Sequence, residues 1–209
     1  MEKMHKQAII GSGILLPLIV SMIFIGATTN ATQNSNLGLD QSEATSVSKA
    51  SIWLYLTIDG NDIQGDSQVQ SLDREGTIEI WSFRMDVQVP SDVSSGRATG
   101  SRVYSPIIVT KLIDRSSPLL MKALTHNEQV DEAEFKFFRT SVNGEGSEEY
   151  YYSIKIELGR ITGIRVFTLT DFSTHAVYDM EEISFSFQRI TVTYVDGGVE
   201  NVDDIRNRG

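Results

Sequence analysis

The sequence predicts a mainly β protein, a closed or two-sheet barrel with one short helix laid over it, and three observations predict it. About seven short segments alternate apolar and polar residues with a period of two, the pattern of half-buried strands. Turn-forming residues separate them closely, which gives too many strands for a single open sheet facing water. One stretch alone carries helix-capping residues ahead of a helical apolar stripe.

Taken in order, the elements begin with an apolar leader. No charged side chain occurs between Lys6 and Asp40, and Ile14 to Ile25 is almost continuously apolar. Lys3 and Lys6 precede it and the small residues Gly26 to Ala31 come after it, with Thr29 and Ala31 where a signal peptidase reads. Residues 1–31 therefore read as an export signal. The 20 uncharged residues from Ala8 to Ala27 are also long enough for a retained membrane anchor, and both readings export the remainder of the chain. Residues 32–48 are rich in Thr, Gln, Asn, Ser and Gly and read as a polar linker. The barrel domain is expected over 49–197, with a polar tail over 198–209.

Within the body, Ile52, Leu54, Leu56 and Ile58 share one face of the first strand. Turn chemistry comes next at Gly60-Asn61-Asp62 and Gly65-Asp66. A second strand is expected over Thr77–Val89, with its apolar phase flipping at Ile80-Trp81, as at a bulge or barrel corner. Pro90 to Ser105 is polar and too long for a tight hairpin. Further strands are expected over Pro106–Asp114, Ala133–Ser141, Glu148–Leu158, Ile161–Thr168 and Glu182–Val195, the last flipping phase between Phe187 and Ile190. Val142 to Gly146 suits a hairpin turn. The helix is expected to start with Ser117 as cap and Pro118 at its first position, where a missing N–H costs nothing, to turn Leu119, Leu120, Ala123 and Leu124 inward as one apolar stripe, and to end at His126-Asn127.

Composition narrows the function. The 209 residues hold 18 Lys+Arg against 28 Asp+Glu, a net charge of −10, with no basic run, which argues against nucleic-acid binding. There are 0 Cys, so no disulfide, thiolate metal site or cysteine nucleophile. His5, His126 and His175 have no metal-ligand spacing. The segment Asp59 to Asp66 has a calcium-loop flavour but fails the motif, with Ile63 and Gln64 where ligand and glycine belong. No catalytic signature, cofactor motif or metal site is indicated. Tyr150-Tyr151-Tyr152 reads as strand, and Asp131, Glu132 and Glu134 as a solvated strand entrance or carboxylates lining a pore.

The order of these pieces resembles the Hcp family, the tube proteins of type VI secretion systems. The resemblance is carried by Ile52 to Gly65, by Trp81-Ser82-Phe83 and by the polar loop Ser95 to Val103. It continues in Ser105-Pro106, in Lys111 to Asp114 with Ser117 to Leu120, in Glu134 to Ser141, and in Ile183 to Ile190 ending at Thr193-Tyr194. It implies an Hcp-like β-barrel of two antiparallel sheets with one short flanking helix, without catalysis, assembling into hexameric rings that stack as a hollow tube. Effector cargo in the lumen and sheath or spike proteins are the implied partners, with no cofactor. It also implies that the loop Pro90 to Ser105 reaches neighbouring subunits, making Arg97, Thr99, Arg102 and Tyr104 the candidate interface residues, with Arg97 and Arg102 in intersubunit ion pairs. Family members ordinarily lack an export signal, so the leader is a departure. The alternative is an exported or membrane-tethered binding module of this fold that captures a peptide or protein. A third reading is an enzyme with scattered residues, for which Asp59, Asp62, Asp66 and His175 come first.

Overall fold

A computed structural model describes residues 51–141, 146–172 and 174–206. The leader, the linker and most of the Val142–Gly146 turn lie outside the described residues. The strands are β1 (Ser51–Ile58), β2 (Asn61–Asp62), β3 (Ile78–Ile80), β4 (Ser82–Arg84), β5 (Val87–Gln88), β6 (Val103–Tyr104) and β7 (Ile107–Leu112). Helix α1 (Ser117–His126) precedes β8 (Val130–Thr140), β9 (Glu148–Asp171), β10 (Ala176–Ser186), β11 (Arg189–Tyr194) and β12 (Val199–Asp204).

Two antiparallel sheets result. In the first, β1 pairs with β2, β3 and β8, and the ladder continues through the amino half of β9 to β11 and β12. In the second, the carboxyl half of β9 pairs with β10, then β7, then β4. The two expected strands Glu148–Leu158 and Ile161–Thr168 are thus one long strand that serves both sheets. It turns between them at Leu158, which has φ 54°, and Gly159. The expected strand Thr77–Val89 is instead three short ones. Ile78 and Ile80 belong to β3 on β1, whereas Phe83 belongs to β4 on β7, so the phase flip at Ile80-Trp81 is a change of sheet. The flip between Phe187 and Ile190 has the same cause, because β10 lies in the second sheet and β11 in the first. The circuit β1, β8, β9, β10, β7, β4 returns to β1 through the covalent link from β4 to β3.

Alternate residues of both sheets fill the interior. Phe135 lies 5.0 Å from Phe83 and 5.9 Å from Phe185, ring centroid to centroid, so one buried ring bridges strands of both sheets. Leu54, Ile78, Ile107, Ile156 and Ile183 surround them, fully buried. Outside β1 a second, smaller cluster is built around Arg74, whose guanidinium lies 4.3 Å from the Trp53 ring and 4.7 Å from that of Phe138. Phe138 reaches it by the ordinary alternation of β8, in which Phe135 and Phe137 turn to the core and Lys136 and Phe138 turn outward beside Trp53.

The helix is seated by charge. Lys111, 1% exposed, directs its ammonium to Glu181 at 2.7 Å and Asp114 at 2.8 Å, and Ser117 donates its hydroxyl to Glu181. Ser116, not Ser117, occupies the capping position, and the Asp114 carboxylate accepts the Ser116 N–H. Pro118 is therefore the second residue of the helix instead of the first, still within the turn whose N–H groups have no helical partner, and Asn127 closes the helix in the left-handed conformation. Of the expected apolar stripe, Leu120 and Ala123 are buried and Leu119 is exposed. The segment expected as a polar tail contributes β12, paired with β11 along six positions.

A Cβ on Gly159 would stand 2.6 Å from the Ser186 carbonyl oxygen, backbone that cannot yield. Gly159→Ala is therefore expected to lower stability by about 1–3 kcal/mol, read as a fall in the thermal or denaturant midpoint. An unchanged midpoint would show that the turn between the sheets has slack.

Candidate assembly surfaces

Between Met85 and Ser105 the chain leaves the barrel as an arm. Val87 pairs with Tyr104 and Gln88 with Val103, and Ser91 bridges Ala98 further out. The expected long loop is therefore a twisted hairpin, and every residue from Asp86 to Ser101 is exposed. Val87, Val89, Val93 and Val103 stand exposed along this hairpin instead of packing on the barrel, so its order comes from hydrogen bonds and not from burial. At the tip, Asp92 accepts the backbone N–H and hydroxyl of both Ser94 and Ser95. The hydroxyls of Ser94 and Ser95 hold its carboxyl down to about 2.

The four candidate interface residues are spread along this arm. Arg97 is exposed at the tip, where its carbonyl accepts the Asp92 N–H. Thr99 is exposed and its N–H donates to Pro90 at 2.8 Å. Arg102 and Tyr104 lie at the root and turn inward: both donate to Asp203 on β12, and Arg102 also reaches the Asp204 carbonyl at 3.0 Å. Thus Arg102 makes its ion pair within its own chain. Tyr104 also meets Phe187 edge to face at 5.5 Å, and beside them lies a groove of about 380 Å³ that reaches Pro106 and Ile205.

The outward faces of the two sheets differ. On the first sheet it carries crossed charges: Lys155 with Glu132 at 3.5 Å, Arg189 with Glu157 at 3.4 Å, and Lys136 with Glu134 at 3.4 Å. So Glu132 and Glu134 are ladder members, while Asp131 holds the Gly60 N–H and the Gln129 amide. Of the tyrosine run in β9, Tyr152 packs on the core and Tyr151 lies under the Arg139 guanidinium.

On the second sheet the register sets Leu169 opposite Tyr178, Phe167 opposite Met180, and Met180 opposite Leu112, so all five share the outward face. Trp81 joins them at 5.2 Å from Tyr178. Leu169 and Trp81 are 47% and 44% exposed, which makes this an apolar patch at the surface. Sequence reasoning missed this patch, although a signal exists. From Ile161 to Thr170 apolar residues occupy both phases, as in a strand covered on both sides.

Residues named for scattered catalysis have other partners or lie apart. Asp59 accepts the Gln129 N–H, Asp62 the Thr57 hydroxyl, and Asp66 pairs with Arg115. His175 is exposed in the β9–β10 turn with φ 59°. Among the described residues no group of three or more His, Asp or Glu is placed to hold a metal ion.

Known proteins share this geometry. Residues 55–194 match the family described as "Type VI secretion system effector, Hcp". The "Major exported protein" of Pseudomonas aeruginosa is 33% identical over 135 residues, 64% of this chain and 77% of that one. The structure of an Hcp protein from the E. coli EAEC 042 pathovar is similar with a TM-score of 0.64 and 33% identity, over 74% of this chain and 98% of that one. Another Hcp crystal structure is similar with a TM-score of 0.67 and 25% identity, over 76% and 99% of the two chains.

The arm tip makes a pH prediction. A carboxyl held below its ordinary value keeps its hydrogen bonds down through the ordinary carboxylate range and loses them only as pH falls through about 2. The amide resonances of Ser94 and Ser95 are expected to titrate near that value by NMR, and to lose their shifted positions in Asp92→Ala. A titration in the ordinary carboxylate range would dissolve the proposed knot.

Proposed function

The chain belongs to the Hcp family of type VI secretion proteins, and on that premise we propose that its barrel closes into hexameric rings that stack as a tube. It is a structural subunit, not an enzyme. The observation that carries the assembly is the apolar outward face of the second sheet. Trp81 and Leu169 are exposed there beside the half-buried Phe167 and Tyr178, and a neighbouring copy would remove them from water. A face meeting a different surface of the next copy is a heterologous contact, which closes into a ring when the rotation suits and repeats along an axis otherwise. The arm, with Arg97 and Thr99 exposed, supplies a second contact toward the next subunit or ring.

The charged ladder on the first sheet suits the opposite task. Lys136, Lys155 and Arg189 beside Glu132, Glu134 and Glu157 make a wetted, nearly balanced surface with a shallow hollow of about 300 Å³ near Glu134 and Arg189. We assign it to the water-filled lumen, where small effector proteins would pass without strong adhesion. Sheath and spike proteins are the expected outer partners. Residues 1–31 are assigned to export, by cleavage after Ala31 or by anchoring through residues 8–27, with 32–48 as linker.

Leu169→Arg places a charge in the apolar face at an exposed position, where folding stability is expected to change by no more than about 0.5 kcal/mol. Light scattering coupled to gel filtration is expected to give a mass six times the protomer for the unaltered chain, and a protomer mass for Leu169→Arg. Lys155→Glu, on the charged ladder, is expected to leave the assembly intact. A stable hexamer in Leu169→Arg together with loss of assembly in Lys155→Glu would exchange the roles of the two faces. A monomer at every concentration of the unaltered chain would end the ring reading.

A further inference from the structure

The arm has an unusual attachment. Every residue from Asp86 to Ser101 is exposed, and the backbone hydrogen bonds described for Pro90 to Thr99 remain within the arm. Its own ladder, β5 with β6, is two residues long on each side, too short to fix a direction by itself. Direction is set at the root, where Arg102 and Tyr104 converge on a carboxylate.

That carboxylate is oddly placed for a surface residue. Asp203 lies opposite Ile190 in the β11–β12 register, and directly opposed residues share a face, so Asp203 takes the phase of a core residue that is 1% exposed. An apolar side chain belongs in that phase on amphipathic grounds. Instead one oxygen accepts the Arg102 Nε and the Tyr104 hydroxyl, the other accepts the Arg102 Nη2, and the side chain of Asp203 is 17% exposed. The guanidinium first, and the tyrosine hydroxyl after it, keep this carboxyl below the ordinary range against the opposing effect of its burial. The groups facing it are Arg102 and Tyr104 from the arm and Asp204 from β12. The neighbouring charge of Asp204 is itself held by Arg206. The base under Asp203 is firm, because β12 pairs with β11 at six positions and β11 pairs with β9 at six more.

We propose that Asp203 is the positioning residue of the arm: it clamps Arg102 and Tyr104 so that the arm is presented in one direction before a second copy binds. β12 lies past the family-matched residues, so the clamp joins a matched segment to one outside the match. The gain is in preorganisation. A hairpin that swings freely loses conformational freedom when it docks, and one already fixed at its root loses less, so binding is tighter with no added contact. The part of this inference that concerns assembly rests on the ring reading; the clamp itself does not.

Hydrogen exchange on the full-length chain in mild detergent tests both parts, with the assembly midpoint measured by sedimentation on the same samples. In Asp203→Asn, which keeps the shape and removes the charge, amides of residues 87–104 are expected to exchange about tenfold faster, while those of β8 and the thermal midpoint hold. The concentration for half assembly is expected to rise by about tenfold. Arg102→Gln is expected to match it, and Asp203→Glu to restore much of the protection. Unchanged exchange over 87–104 in both Asp203→Asn and Arg102→Gln overturns the clamp. Faster exchange with an unchanged assembly midpoint overturns its role in presenting the arm. A chain that never assembles, yet whose arm loosens in Asp203→Asn, ends the ring reading and upholds the clamp.

Discussion

At Leu158 and Gly159 one strand must leave the first sheet and enter the second without ending, and the barrel depends on that passage. The amino half of β9 holds β8 and β11, and its carboxyl half holds β10. A break there would separate the sheets on that side. The geometry demands a left-handed residue succeeded at once by one with no side chain, because the Ser186 carbonyl lies where a Cβ would go. The opposite side of the barrel solves the same problem differently. Trp81 stands between β3 and β4 and donates its N–H to Thr110 of β7 at 2.8 Å, so the chain crosses from sheet to sheet within one residue. Sheets joined by covalent chain on both sides have fewer exposed edges to pair with stray strands.

This closure also explains why the two outward faces can differ so much. Each sheet turns one phase to the shared core, whose apolar residues satisfy the folding requirement, and the other phase is left free for use. On the first sheet that phase carries ion pairs, two across strands and one along β8, each worth little at the surface and together making a wetted wall. On the second it carries the exposed Trp81 and Leu169 with the half-buried Phe167 and Tyr178. An isolated barrel has no need of them there. The proposed assembly would account for them, as the proposed lumen would for the charged ladder.

Much of this was legible from the residues. The phase flips at Ile80-Trp81 and between Phe187 and Ile190 mark changes of sheet, because a strand that turns from one sheet to the other must reverse which side is inside. The passage in β9 carries the same flip, with Ile154 and Ile156 buried on one phase and Ile161 on the other, but Leu158 and Gly159 look like a turn between two strands; only pairing with both sheets shows one strand. The arm was legible as a polar segment, but the partner of Arg102 was not, because Asp203 is about a hundred residues away and sits in a stretch of Val, Glu, Asn and Asp that reads as a tail. Arg74 illustrates the same limit. Nothing local says that a charged residue is wholly buried between Trp53 and Phe138, since the two rings come from the outward faces of strands distant from it in the chain.

The buried Lys111 shows how the helix became part of the same design. An ammonium in the core is expensive, and a pair of well-packed apolar residues in place of Lys111 and Glu181 would hold β7 to β10 as well or better. What an apolar pair would lack is direction. Lys111 also reaches Asp114, the Leu112 carbonyl and Ser117, and Asp114 in turn accepts the N–H of Ser116 at the start of α1. The network therefore ties the end of a strand, the turn after it and the first residues of the helix to one point, and Leu120 and Ala123 have a single depth at which to pack. Asp203 does for the arm what Lys111 does for the helix. In both places a charge set where the pattern calls for an apolar side chain gives up some stability to fix the direction of an appended element, and in a subunit that must meet identical copies in one geometry, direction is what the fold has to supply.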